Sequence, residues 1–107
     1  RMEEKKSITR RATKLEISQL AQTDLEDIYL YSLQEHGNMF ADSYMDSLDQ
    51  AIKSLLRHPK QGQNQSIIRS GVRRMVTNHH AIYYRITHNT IRLLRILHQS
   101  RDPGRHL

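Results

Sequence analysis

The sequence contains no cysteine and no tryptophan, and it has only one phenylalanine, two prolines and four glycines. The lack of cysteine excludes disulfide bonds and thiolate metal sites, and it is compatible with a reducing compartment. No apolar run approaches the roughly 20 residues that a membrane-spanning helix needs. The polar N-terminus also lacks the apolar segment of a signal peptide. We therefore expect a cytoplasmic protein without a membrane anchor.

A chain of 107 residues, 36% of them hydrophobic, is long enough for one domain with a small core. Residues 1–13 are strongly polar and carry an arginine before the first methionine. We interpret this segment as an N-terminal extension or tag remnant. Residues 14–107 are then expected to form a single domain.

Acidic residues are almost absent from the second half of the chain. Residues 57–107 hold ten lysines or arginines and one acid, Asp102, whereas residues 15–56 hold eight acids and one base. The net charges of these segments are +9 and −7, and residues 1–14 add +4. A surface with so large an excess of one sign favours an anionic partner.

Two helices are predicted after a short first strand. Thr23 and Glu26 have the spacing of a capping box, which places the helix start at Thr23 and Asp24 in the first turn. Gly37 suits the end of this helix, because glycine adopts a positive φ easily, and Pro59 ends the second helix. Because the link between the helices is so short, an antiparallel hairpin is expected.

Alternating hydrophobicity predicts strands at residues 14–18, 72–77 and 81–87, and residues 91–98 are apolar on both faces, as expected of a central strand. His88-Asn89 suits a two-residue turn between the last two strands, and residues 60–66 form a polar loop. The predicted fold class is α+β, in the order β-α-α-β-β-β, with the helical hairpin packed on a mostly antiparallel sheet.

The predicted core combines positions at helical spacing with alternating strand positions. The helix stripes must be buried against one face of the sheet, which leaves arginines on the other face and in the tail. The expected core residues are Leu25, Ile28, Tyr44, Leu48, Ile52, Leu55, Val76, Ile82, Tyr84, Leu94 and Ile96.

Several short motifs occur in a characteristic order along the chain. They are A-x-x-D-L-x-x-I-x-x-Y at 21–31, P-x-x-G at 59–62, G-x-R at 71–73, H-x-I-x-Y-R at 80–85 and R-I-L-H-x-x-R-D at 95–102. Together they resemble the ParE branch of the RelE/ParE superfamily of type II toxin–antitoxin modules. The resemblance covers residues 14–107. It implies a complex with an acidic antitoxin, poisoning of DNA gyrase on cleaved DNA, and growth arrest, without a cofactor.

The candidate contacts with the target or the antitoxin are polar residues of the cationic half. A strand-surface arginine in such a set would act as a contact rather than as a catalyst. The residues are Arg73, Arg74, Arg85, Arg95, His98, Arg101 and Asp102.

A RelE-like, ribosome-dependent mRNA endoribonuclease is the alternative. Such an enzyme needs a base, an acid and cations that stabilise the phosphate charge. The candidate catalytic residues would then be His98, Arg85 and Arg73, with His79, His80 and Tyr83 as further candidates. RelE-branch enzymes place basic groups in the loop before the second strand, but here residues 61–65 are mainly glutamine and asparagine. That difference favours a protein-binding inhibitor that is not an enzyme.

Neither a metal site nor direct nucleic-acid binding is favoured. The chain has seven histidines, but no H-x-x-x-H or H-E-x-x-H pair and no thiolate accompanies them. The arginines could bind phosphates, yet the scarcity of aromatic residues leaves few surfaces on which bases could stack. An acidic protein segment is therefore the preferred partner.

The C-terminal tail, residues 98–107, is polar and contains Pro103-Gly104. Polar termini without apolar anchors add little stability. Deletion of residues 101–107 is therefore expected to leave the thermal midpoint nearly unchanged while abolishing growth arrest. The alternative is that Leu107 docks on the domain and is structural.

Overall fold

The computed structural model describes residues 11–107, which form a five-stranded sheet covered on one face by a helical hairpin. In spatial order the strands run β1-β5-β4-β3-β2, with β1 parallel to β5 and the other neighbours antiparallel. The predicted α+β class is confirmed, whereas the short β2 was expected to be loop. The strands are β1 (Lys14–Ile17), β2 (Gln63–Asn64), β3 (Arg73–Thr77), β4 (His80–Thr87) and β5 (Thr90–His98).

The helical region α1 (Gln19–Arg57) is broken at Gly37, whose φ of 86° and ψ of 175° are not helical. Leu25 before the break and Met45 and Leu48 after it line one small cavity. The first arm, residues 19–36, and the second arm, residues 38–57, therefore fold back on each other. This is the hairpin that Gly37 predicted, because a left-handed φ is easily adopted only by glycine.

The helix begins at a different residue from the one predicted. Ser18 is the N-cap: its Oγ accepts a hydrogen bond from the Ala21 N–H at 3.0 Å and donates to the Leu94 carbonyl of β5 at 2.8 Å. The capping box at Thr23 is wrong, because Ser18 satisfies the first turn one turn earlier and anchors it to the sheet. Asp24 therefore lies beyond the first turn and is free for another role.

The main core lies between α1 and the sheet, and a smaller cluster lies on the opposite face, called here the second face. Val76, predicted to be in the core, is 44% exposed. Its neighbour Met75 packs against the helices instead, since alternate strand residues point to opposite faces. The main core includes Ile28, Leu48, Ile52, Leu55, Ile82, Tyr84, Leu93 and Ile96. The second-face cluster contains Val72, Ala81, Tyr83 and Leu97, with Leu94 and Leu107 packed against it.

The tail docks on the domain. A short 3₁₀ helix, Pro103–Arg105, brings Leu107 onto the second-face cluster. Arg69 donates to the Leu107 carbonyl and Arg95 to the His106 carbonyl, each at 3.2 Å. The expectation of a tail without apolar anchorage is therefore wrong, and the docking of Leu107 is what the structure shows.

The start of the domain lies before residue 14. Ala12 is 7% exposed and donates its N–H to the Leu56 carbonyl at 2.9 Å, and Thr13 donates to the Asn89 carbonyl at 2.8 Å. Residues 1–10, the rest of the predicted extension, lie outside the described residues. Within residues 11–107, no helix has the length and hydrophobicity needed to cross a membrane.

Candidate functional site

Three histidines meet where β4 begins and β5 ends. His80 is the register partner of His98, and their rings lie edge to face with centroids 5.6 Å apart. His79, in the turn before β4, lies parallel to His98 at 6.5 Å. The turn itself depends on Asn78, whose φ of 54° is in the left-handed region that asparagine tolerates.

Tyr44 of the second arm binds this histidine cluster. Its hydroxyl accepts the N–H of His79 at 3.3 Å and lies 2.5 Å from Nδ1 of His80, and we assign the hydroxyl as the donor in the second contact. The neutral His80 ring then carries its proton on Nε2. Burial lowers the pKa of His80 from 6.5 to about 4, helped by His98 and His79 and opposed by Asp24.

A cleft of about 410 Å³ opens beside the histidine cluster, between the first arm and the end of β5; it is called here the β5 cleft. Its floor is apolar and consists of Ile28 and Ile96, both buried; Leu97 also lines the cleft, but its side chain packs in the second-face cluster. The first arm contributes Asp24, Asp27, Tyr31 and Ser32 to the walls, and the rest of the chain contributes His80, His98, Arg95 and Arg101. Across the cleft, acidic residues of the first arm thus face basic residues of the sheet and of the tail.

Arg95 is committed to a structural ion pair. Its Nε and Nη2 donate to the two carboxylate oxygens of Asp24, both at 2.8 Å, and the side chains are only 17% and 11% exposed. The same carboxylate accepts the backbone N–H of Ile96 at 2.9 Å. The hydrogen bond to Asp24 raises the pKa of Arg95, which stays charged. A predicted partner contact is therefore an internal clasp.

Arg73 also binds within the chain. It lies on the helix-covered face, because its register partner is the buried Tyr84, and it donates to the carbonyls of Gly62 at 2.6 Å and Lys60 at 3.3 Å. Tyr84 completes this arrangement by donating to the Pro59 carbonyl and accepting the N–H of Gly62. Arg73 therefore fixes the link between α1 and β2.

The second face carries the remaining strand arginines. Arg74 donates from Nε to the Tyr83 hydroxyl at 3.0 Å and lies over that ring. Arg85 donates to the Ser70 carbonyl at 3.0 Å. Arg92 is the register partner of Arg85, and it pairs with Glu16 at 3.2 Å, which offsets the repulsion between the two arginines. This face is cationic and half-exposed.

The first three candidates for nuclease chemistry, His98, Arg85 and Arg73, are not brought together. Arg85 lies five residues along β4 from His80, the partner of His98, so roughly 16 Å of strand separates Arg85 from His98. Arg73 and Arg85 lie on opposite faces, since the partner of Arg73 is Tyr84.

The two tail candidates have different roles. Arg101 lines the β5 cleft and is exposed, with a long contact of 3.4 Å to His106 Nε2. Asp102 caps the 3₁₀ helix by accepting the N–H of Gly104 at 3.0 Å. Among residues 11–107 no group of three or more histidines and carboxylates is arranged to hold a metal ion.

Sequence reasoning missed two residues that organise this site. The sequence predicts Tyr44 as a core residue, and no local pattern signals its hydrogen bond to the distant His80. It predicts Asp24 in the first turn of a helix, although Asp24 binds β5 across 71 positions of sequence. Only the pairing of a first-arm acid with a β5 arginine could have suggested this contact.

Comparisons with known proteins support the assignment that this fold suggests, a toxin of the RelE/ParE superfamily. Residues 15–103 match the family model described as the ParE toxin of the type II toxin–antitoxin system parDE. Toxin ParE1 of Caulobacter vibrioides is 35% identical over 91 residues, spanning 85% of this chain and 94% of the relative. Toxin ParE1 of Mycobacterium tuberculosis is 34% identical over 92 residues, with the same shares covered. The chain therefore belongs to the ParE family of type II toxin–antitoxin toxins.

Two solved structures share the fold. The chromosomal ParDE system of Pseudomonas aeruginosa matches with a TM-score of 0.71 and 23% identity, covering 80% of this chain and 95% of that one. The RelBE2 toxin–antitoxin complex of M. tuberculosis matches with a TM-score of 0.58 and 18% identity, covering 86% and 95%. At these identities the likeness concerns the fold alone.

Proposed function

We propose that this toxin arrests growth by binding DNA gyrase and trapping it on cleaved DNA, and that an acidic antitoxin holds it inactive. The resemblance to the ParE branch implies the target. The Pseudomonas neighbour is described as a ParDE toxin–antitoxin system, which supports the antitoxin partner. Both partners are then expected in the cytoplasm.

The observation that carries the proposal is the separation of His98, Arg85 and Arg73. An endoribonuclease needs its base, acid and cations within reach of one phosphate. Here Arg73 is bonded to two backbone carbonyls and His98 lies at the far end of β5. Arg74, Arg85 and Arg92 instead form an extended cationic face, which suits contact with an anionic partner.

Purified protein, freed of antitoxin, tests this function in two parallel assays. Gyrase supercoiling should be blocked and cleaved DNA should accumulate, while mRNA stays intact both alone and on translating ribosomes. Supercoiling that continues at large molar excess of the toxin, together with codon-specific mRNA cleavage, would establish the endoribonuclease instead.

The antitoxin half of the proposal has its own test. A short acidic protein is expected from the neighbouring gene, and its co-expression should restore growth. Association should slow as the salt concentration rises, because charge steers the encounter. An association rate unaffected by salt between low and physiological ionic strength would rule out electrostatic recognition.

A further inference from the structure

The β5 cleft presents several hydrogen-bond donors that no described group occupies. Nδ1 of His98 accepts the Ser100 N–H at 3.2 Å and contacts the Ser100 hydroxyl at 2.8 Å, so its neutral ring carries the proton on Nε2. His80 reaches the same tautomer through Tyr44, which occupies its Nδ1. Both rings line the cleft and have an N–H to donate.

Arg101 adds a positive charge to the same wall. Its guanidinium is exposed and makes one long contact of 3.4 Å to His106 Nε2 within residues 11–107. Asp24 on the facing wall does not compete for it, since three hydrogen bonds from Arg95 and Ile96 already satisfy that carboxylate. The sheet side of the cleft therefore suits an oxyanion.

We propose that the β5 cleft binds a glutamate or aspartate carboxylate from an extended, acidic and partly apolar segment of the antitoxin. The carboxylate accepts from His80, His98 and Arg101, and the apolar neighbours of the acid pack on the floor. This site rests on the proposed function, because it places one contact of the expected acidic antitoxin.

The shape and charge of the cleft favour a peptide over a nucleic-acid phosphate. The floor of Ile28 and Ile96 offers apolar surface that a sugar–phosphate backbone would leave unmatched. Asp27, exposed on the helix wall, would repel a chain of successive phosphates more strongly than a single carboxylate.

The probe is a hexapeptide of alternating leucine and glutamate with blocked ends, and its control replaces each glutamate by glutamine. Titration into the full chain, followed by NMR of the imidazole and guanidinium nitrogens, should shift the signals of His80, His98 and Arg101 with the glutamate peptide only. Arg101→Gln should weaken binding by about tenfold, as expected for loss of a charge-assisted hydrogen bond. His98→Gln should weaken it too. Both side chains are exposed, so the fold should persist.

Arg92→Gln is the matched control, because it makes the same substitution at an arginine of β5 that lies outside the cleft. Its affinity for the glutamate peptide should lie within about twofold of that of the native chain, because a distant charge is screened by salt. Asp27→Asn should tighten binding, since it removes a like charge from the cleft wall. Weaker binding in that variant would show that the Asp27 carboxylate does not repel the peptide, and the proposal would be overturned.

Two further outcomes would also overturn it. One is equal binding of the glutamate peptide by the native chain, Arg101→Gln and His98→Gln. The other is a shift of the imidazole NMR signals on addition of a short oligothymidylate but not on addition of the peptide, which would identify a nucleic-acid site. Either result leaves the gyrase assay of purified native protein unaffected, so failure of this site and failure of the proposed function are distinguishable.

Discussion

The carboxylate of Asp24 clasps the side chain of Arg95 and the backbone of the next residue, Ile96, through three hydrogen bonds of 2.8–2.9 Å. Arg95 in turn donates to the His106 carbonyl of the tail. One acid of the first arm thereby joins the helix, the last strand and the C-terminus.

Asp24→Ala should therefore destabilise the protein strongly. It would leave the guanidinium of Arg95, 17% exposed, without its counter-ion and the Ile96 N–H without an acceptor. Loss of such a pair and hydrogen bond is expected to lower the free energy of unfolding by about 2–4 kcal/mol. Chemical denaturation measures it, with Asp27→Ala as the control, because Asp27 is exposed on the same arm. Equal stability of the two variants would contradict the clasp.

Local patterns predicted the architecture of this chain well, because helix, hairpin and strand signals are local. Gly37 marks the break in α1, alternation marks β4, and apolar residues on both faces mark β5 as a central strand. Contacts between distant segments were not predictable in this way. Ser18 and not Thr23 is the N-cap, because the Ser18 hydroxyl also binds the Leu94 carbonyl of β5, 76 positions away. Nothing in the sequence near Thr23 indicates this long-range hydrogen bond.

The candidate site was predicted in part, for the same reason. Charge asymmetry identified the basic half, but it could not show which arginines remain available. All four candidate strand arginines lie in the same basic half of the sequence. Arg73 and Arg95 differ from Arg74 and Arg85 because they bind a backbone carbonyl and the Asp24 carboxylate inside the protein. Val76 was misplaced because a short strand with both faces partly apolar does not specify which face is buried.

Core position can be tested by two truncations. Leu48 is fully buried, so Leu48→Ala should lower the free energy of unfolding by about 2–5 kcal/mol through lost burial and a cavity. Val76, 44% exposed on the second face, should lose less than about 1 kcal/mol on truncation to alanine. Denaturation midpoints in the reverse order would show that the faces of the sheet are exchanged.

Gly62 is required by the close approach of a tyrosine. A Cβ at this position would lie 2.5 Å from the Tyr84 hydroxyl, which accepts the Gly62 N–H and donates to the Pro59 carbonyl. Gly62→Ala should therefore displace the buried ring and lower stability by about 1–3 kcal/mol. Gly104→Ala is the control, because its Cβ would only approach the exposed Asp102 carboxylate at 3.3 Å. A larger loss from the control would contradict this packing.

Removal of residues 103–107 separates stability from toxicity. Because Leu107 covers the second-face cluster, the deletion should lower the free energy of unfolding by about 1–2 kcal/mol, whereas the sequence alone predicts almost no change for the longer deletion of residues 101–107. Thermal unfolding measures this effect. Leu107→Ala removes the same apolar contact but keeps the charged residues of the tail. If the tail contacts the target, cells that express this variant should arrest more strongly than cells that express the deletion. Equal growth arrest by both would restrict the tail to a structural role.

The histidine cluster predicts how stability depends on pH. His80 is neutral in the folded chain, with a pKa of about 4, whereas the unfolded chain should titrate near 6.5. Between these values the unfolded chain binds more protons, so stability is full above pH 6.5 and falls as the pH falls toward 4. The groups facing the ring are His79, His98, Tyr44 and Asp24.

Denaturation midpoints between pH 7.5 and 4.5 should fall more steeply for the native chain than for His80→Gln. His36→Gln, on the exposed part of α1, should keep the native slope. An unchanged slope in His80→Gln would show that other groups govern the acid sensitivity.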